Sequence, residues 1–272
     1  MKRIIFAILL TSLGFGQASN SPSAASSARS IPVDQQVAQK AKTLIEQAIQ
    51  ALGGQAYLSI QDISQEGRSY GFHLGESEGV GVQFWRFYKY PDKERIELTK
   101  HRDVVYIHNG EEGYETTYKG TRTDDPKAVT DYNRRRQYAL DWVLREWLKQ
   151  PGIAFFYEGT TVAAQKDAER ITIMTAQNQA VTLYFDARSH LPVKKSYSWR
   201  DATDQQRNTE DEVYDNYRPV QGIMTPFDVT RFYNGDMSSQ RFLTSVSYNK
   251  GLSDSMFVAH VSYDPDMPLP KR

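Results

Sequence analysis

Val181-Thr182-Leu183-Tyr184-Phe185 and, farther along, Phe242-Leu243-Thr244-Ser245-Val246-Ser247-Tyr248 carry the pattern that decides the fold. In the first run Val181, Leu183 and Phe185 alternate with Thr182 and Tyr184. In the second, Phe242, Thr244, Val246 and Tyr248 fall on one face. Successive side chains of a strand point to opposite faces of its sheet, so each run is expected to have an inside and an outside. A third run, Val80 to Tyr90, puts Val82, Phe84 and Tyr88 on one face and Trp85 and Phe87 on the other, which predicts cover on both faces.

The same period of two recurs along most of the chain, in short runs separated by Gly, Asn, Asp or Pro. Further strands are expected at Ser59 to Tyr70, Arg95 to Lys100, Val104 to His108 and Tyr114 to Tyr118. Later ones fall near Ala154 to Glu158, Arg170 to Thr175, Val193 to Trp199, Glu212 to Tyr217 and Phe227 to Tyr233. The total is close to a dozen. An antiparallel sheet this large curls toward a barrel to limit its open edges. Strands and helices do not alternate as a parallel sheet requires, and no repeat of fixed period is present.

Two stretches switch to helical spacing. Asp34 stands at an N-cap position, and Val37, Ala41, Leu44, Ile45, Ala48, Ile49 and Leu52 follow on one face before Gly53-Gly54. Asp125-Pro126 opens a second helix, expected to run to Pro151-Gly152 with Leu140, Val143, Leu144, Trp147 and Leu148 on one face and Ala139 and Trp142 beside them. The fold class is therefore mainly β with α: an incomplete antiparallel β-barrel covered by two or more helices.

At the start of the chain Lys2 and Arg3 precede an apolar run from Ile4 to Leu10, and the small residues Gly16 and Ala18 sit two apart. This is the pattern of an export signal, with cleavage expected after Ala18. The apolar run is roughly half the ~20 residues of a membrane-spanning helix, so no retained anchor is expected. Ser19 to about Val33 is Ser-, Ala-, Asn- and Pro-rich and reads as a disordered leader, which leaves 34–272 as a single domain. The chain has no Cys. That excludes disulfides, thiolate chemistry and the lipidated cysteine of a bacterial lipoprotein. Without Lys2 and Arg3, 31 basic side chains face 33 acidic ones, a balance that argues against nucleic acid or an anionic membrane as the main partner. The expected compartment is the periplasm.

Common catalytic patterns are not found. His73, His101, His108, His190 and His260 are scattered and form no ligand pair, and exposed or capping roles are expected for them. No Gly-x-Ser-x-Gly elbow is present. Gly71, Gly75, Gly79 and Gly81 lie between two strand-like runs and read as a hairpin connection. Glu111, Glu112 and Glu115 follow Asn109-Gly110 and read as a solvated hairpin tip. Asp201 to Asp215 lacks the order of a calcium loop, and Arg134, Arg135 and Arg136 read as a charged outer helix face. What remains is a stock of apolar and aromatic side chains facing a curved sheet. These predict a cavity that binds hydrophobic matter, with no cofactor and no covalent chemistry. The residues expected to line it are Phe84, Trp142, Trp147, Leu183, Phe185, Phe227 and Phe242.

One family shares these features. Phe185-Asp186-Ala187-Arg188 leading to Leu191-Pro192-Val193-Lys194, then Tyr217-Arg218-Pro219-Val220-Gln221-Gly222-Ile223-Met224-Thr225-Pro226, Val246-Ser247-Tyr248-Asn249 and Ser253-Asp254-Ser255-Met256-Phe257, resembles LolA-like outer-membrane lipoprotein-sorting proteins. Leu52-Gly53-Gly54 and the turn Asn109-Gly110-Glu111-Glu112-Gly113-Tyr114 fit as well. The resemblance implies an incomplete barrel of about eleven strands closed by helices, holding lipid or the acyl chains of a lipoprotein. The mature chain is longer than the usual carrier, and no cargo-contacting residue carries over from the family. The expected function is a carrier or sensor of lipid or acylated lipoprotein. The alternatives are a cell-envelope module that binds other proteins and, third, a hydrolase of envelope material, marked by convergent polar groups with altered pKa values at a cavity.

Overall fold

The computed structural model describes residues 33–268; the expected signal peptide and all but the last residue of the expected leader lie outside them. Among the described residues fourteen strands form a single antiparallel sheet. The first half of the chain supplies β1 (Asp62–His73), β2 (Glu76–Ser77), β3 (Val82–Lys89), β4 (Lys93–Leu98), β5 (Val104–Asn109), β6 (Glu112–Thr117) and β7 (Gly120–Thr123). The second half supplies β8 (Ala154–Ala163), β9 (Lys166–Met174), β10 (Ala180–Asp186), β11 (Pro192–Arg200), β12 (Arg207–Val220), β13 (Ile223–Tyr233) and β14 (Asp236–Tyr248). All twelve strands expected from alternation are present. Alternation did not reveal β2 and β7, which are too short to show a period.

The order across the sheet is β7-β6-β5-β4-β3-β1-β14-β13-β12-β11-β10-β9-β8, with β2 folded back on the end of β1. Apart from that short hairpin, neighbours in space are neighbours in sequence everywhere except β1 beside β14. The two free edges, β7 and β8, are consecutive strands. The sheet is thus a curled meander whose seam lies between β7 and β8.

Helices cover the concave side of the seam. α1 (Val33–Leu52) buries Ala41, Leu44, Ile45, Ala48, Ile49 and Leu52, the stripe its spacing predicts, and packs chiefly on β8. Lys40 and Lys42 lie over the rings of Tyr157 and Phe155 at 3.8 and 5.2 Å. At its end Gly53 has φ 126°, and a Cβ there would meet the Gly222 carbonyl oxygen at 2.5 Å. The glycine is what lets this corner rest on the β12–β13 turn. A short helix, α2 (Gln55–Leu58), follows and was not expected.

The second predicted helix is two. α3 (Pro126–Gln137) starts as expected, with the Asp125 carboxylate accepting from the amides of Lys127 and Ala128. The chain then turns extended at Ala139 (φ −60°, ψ 140°), and α4 (Leu140–Arg145) begins, followed by a single 3-10 turn at Trp147–Lys149. The break drives Tyr138 into the core, stacked on Tyr197 at 4.2 Å and edge-on to Trp147 at 5.4 Å. That aromatic packing outweighs continuity of the helix.

A second departure lies in β14. Register across β1 and β14 slips between Glu66 and Gly67, so that Glu66 faces Ser245, Gly67 faces Leu243, and Thr244 is the extra residue of a β-bulge. The Thr244 hydroxyl spans the gap to the Glu66 carbonyl at 3.2 Å. A bulge inverts alternation. Val246 packs against the core and Tyr248 is buried, but the single face expected for Phe242 to Tyr248 ends at Thr244. Phe242 turns outward, 39% exposed and edge-on to Tyr70.

Candidate functional site

Between the concave face and the α3–α4 segment lies a cavity of about 520 Å³, within the size range of small-molecule sites. Its walls run from an apolar end to a charged one along the strands. Leu52, Tyr57, Ile60 and Leu140 stand at the first end, with Ile63 at the start of β1, Ile223 and Met224 at the start of β13, and Tyr248 at the end of β14. Six residues farther along β1, Ser69 lines the same cavity, on a rung with Arg241 of β14, Val229 of β13 and Tyr214 of β12. At about 3.3 Å per residue the two ends are about 20 Å apart. Arg86, Glu94, Arg135, Glu212 and Arg231 complete the charged part of the lining, while Arg136, which reaches the Asp92 and Gly110 carbonyls, and Asp141, beside Leu140, bring charge to the other end.

Most of these charges are paired. Lys195, Glu212 and Arg231 are direct register partners across β11, β12 and β13. The Glu212 carboxylate accepts from Lys195 Nζ at 2.9 Å, from Arg231 at 3.0 Å and from the Tyr214 hydroxyl at 2.7 Å. Lys195 is 2% exposed. Burial alone would raise the Glu212 carboxyl, but Lys195 and Arg231 outweigh it and hold it well below the usual range. Arg231 also reaches Glu210 at 3.3 Å. Arg86 donates from Nε to Glu94 and from Nη1 to the Gln65 side-chain oxygen at 3.1 Å. Burial opposes ionisation of Glu94 too, and Arg86 again wins, so its carboxyl is lowered.

Three lining groups differ. Asp141, at the start of α4, accepts from the Tyr90 hydroxyl. Burial raises its carboxyl despite Arg86 and Arg145 nearby. Arg241 and Arg135 have no carboxylate within ion-pair distance among the described residues. Burial, with Arg231 and Arg86 adding repulsion, pushes Arg241 down to about 10. Burial and Arg231 lower Arg135 as well.

The arginine run expected on an outer face instead turns inward. Arg134 lies over the Trp199 ring at 3.9 Å, Arg135 lines the cavity, and Arg136 donates to the Gly110 carbonyl at 2.7 Å. The part of α3 that carries the arginines lies against the sheet, while its first turn, Pro126 to Ala128, is exposed. His108, expected to be exposed or capping, is buried and stacked on Tyr132 of α3 at 3.5 Å. Burial lowers its pKa.

None of the seven residues expected to line a cavity is a wall of this one. Trp147, Leu183 and Phe185 are in the central core, with Trp142 packed at its border. Phe84 is buried in β3, two residues before Arg86. Phe227 lies under the Arg218 guanidinium at 4.6 Å, and Phe242 is at the surface. The charged walls were missed because inward and outward charges look alike until register is known. One signal was available: Glu210, Glu212 and Tyr214 fall on one face of a strand whose other face carries Asp211 and Val213.

Comparison with solved structures identifies the architecture. The chain is similar to a DUF1329 family protein from Desulfovibrio piger, with a TM-score of 0.55 at 11% identity over 80% of this chain and 97% of the other. It is similar to a domain described as an outer membrane lipoprotein-sorting protein from Vibrio parahaemolyticus, with a TM-score of 0.50 at 11% identity over the same shares. A LolA superfamily protein from Nitrosomonas europaea aligns at a TM-score of 0.49 and 12% identity, over 80% and 97% of the two chains. The first two alignments show that the chain shares the fold of those proteins, as the sequence resemblance implied. No family model and no curated protein matches the sequence.

Proposed function

We propose that this protein is a non-enzymatic periplasmic carrier or sensor that shelters a lipid, or the acyl chains of a lipoprotein, inside the curled sheet. The observation that carries the reading is the cavity itself: a ligand-sized space with an apolar end at Leu52, Ile60, Ile63 and Ile223, roofed by the helices that span the seam. The LolA-like fold supports it, and the export pattern at Lys2 to Ala18 supports the compartment. Among the seven residues singled out in the sequence, Phe84 and Phe227 belong to β3 and β13, which wall the cavity; Trp142, Trp147, Leu183 and Phe185 pack in or against the central core. Phe242 stays a candidate for contact with cargo only outside the barrel.

Mass spectrometry of lipid extracted from protein purified under mild conditions tests the reading. Stoichiometric co-purification of one lipid class is the expected result. Protein that carries no lipid and takes none up from detergent-free vesicles would refute it.

A hydrolase is the second reading, and one observation favours it: polar groups with shifted pKa values converge on the cavity, Asp141 among them. It ranks second because Glu94 and Glu212 are committed to ion pairs. Ester or amide turnover by the wild type that disappears in Asp141→Asn would reverse the order.

A further inference from the structure

The bulge at Thr244 decides what the charged end of the cavity contains. Without it, alternation inward from Tyr248 and Val246 would bring Thr244 and Phe242 to the concave face. With it, Leu243 and Arg241 take their places. Arg241 then stands on an inner rung between Ser69 and Val229. Its charge is felt against Arg231 and Arg86, both already spoken for by Glu212, Glu210 and Glu94. Arg135 reaches the cavity from α3 and also borders a neighbouring cleft of about 410 Å³, with Arg231 and Ser239 as the other shared residues. In all, five arginines face three carboxylates across the cavity lining.

The Arg241 and Arg135 guanidinium groups are both half-buried, line the cavity and have no ion-pair partner among the described residues, so each can give charge-assisted hydrogen bonds to an anion there. Two such groups at one end of a cavity whose other end is walled mainly by Leu52, Ile60, Ile63, Leu140 and Ile223 have the polarity of an amphiphile. We infer that the ligand is an anionic amphiphile, its acidic head seated on Arg241 and Arg135 and its chain running past Leu243 toward Ile223 and Leu52. The inference rests on the carrier reading and narrows it to a chemical class. A carboxylate and a phosphate ester share the required chemistry, since guanidinium binds both through paired charge-assisted hydrogen bonds. The head lies nearest the neighbouring cleft, so the chain enters first and the charge is the last part to leave water.

The test uses delipidated full-length mature protein, calorimetry, and three probes of equal chain length: palmitate, hexadecyl phosphate and hexadecanol. Wild-type protein is expected to bind at least one acid about 10- to 100-fold more tightly than the alcohol, the range of one or two charged hydrogen bonds. The better acid identifies the head. In Arg241→Met that acid should fall to the affinity of the alcohol, with alcohol binding unchanged, and Arg135→Gln should lose part of the preference. Circular dichroism on each variant reports folding, and Arg241→Lys, which keeps the charge, should retain most of the preference. Equal binding of acids and alcohol by the wild type overturns the head site and leaves the carrier reading standing. Binding of none of the three overturns both.

Discussion

Gly120 of β7 and Ser262 of the C-terminal segment lie so close that a Cβ on the glycine would sit 2.4 Å from the Ser262 carbonyl oxygen. The segment covers the free edge of the sheet as an extra strand would. Ser262 N–H donates to the Thr121 carbonyl at 2.9 Å, Asp264 N–H to the Lys119 carbonyl at 2.8 Å, and Lys119 Nζ to the Pro265 carbonyl at 2.7 Å. Open edges invite pairing with other chains. Gly120→Ala adds both the contact and strain at φ 94°, at a cost of about 1–3 kcal/mol. The expected outcome is faster amide exchange at Ser262 and Asp264 and concentration-dependent self-association, read by light scattering. Unchanged exchange at both amides would contradict the edge-cover role.

The Lys195–Glu212–Arg231 rung predicts acid sensitivity with a definite sign. Glu212 and Glu94 are held below the ordinary glutamate value of 4.5. Groups depressed by folding add stability that is complete above the unfolded value and disappears as pH falls through the folded one. Thermal midpoints should therefore decline as pH drops below 4.5. Glu212→Gln leaves Lys195 buried beside a neutral partner, which costs about 3–5 kcal/mol at pH 7. It should also flatten the acid slope. A variant with the wild-type slope would show that Glu212 is not the group responsible.

Arg241 and Arg231 stand two rungs apart on neighbouring strands, yet their removal should act in opposite directions. Arg231→Met strands Glu210, takes one of the two cationic partners of Glu212, and should destabilise the ligand-free protein. Arg241→Met removes a charge that has no partner, and roughly 1 kcal/mol of added stability, some 2–4 °C in a domain this size, is expected. Differential scanning calorimetry of the delipidated variants decides it. A large loss of stability in Arg241→Met would mean that the guanidinium is already satisfied within the chain.

The extent to which this architecture was legible follows from which features are local. The alternation of Val181, Leu183 and Phe185 is a property of one strand, and it reappears intact as three core residues. The alternation from Phe242 to Tyr248 depends on β1 as well, because the bulge is a mismatch between two strands. Nothing within β14 alone marks Thr244 as the extra residue. The helix break at Ala139 has the same origin, since the ring that drives it, Tyr197, is almost sixty residues away. Arg135 looked like surface for want of knowing that the sheet curls beneath it. The fold thus emerged from periodicity, while the charged end of the cavity, made of cross-strand and helix-on-sheet relations, did not.

The seam between β7 and β8 gives the barrel a mechanical property. The two edges share no ladder, and only the helical connection between Thr123 and Ala154 joins them. Widening the slit therefore breaks no strand pairing anywhere in the sheet. The meander has the layout of a spring clip: a continuous back at β1–β14, with the stacked pairs Tyr138–Tyr197 and His108–Tyr132 tying the connecting helix α3 to β11 on one side and to β5 on the other.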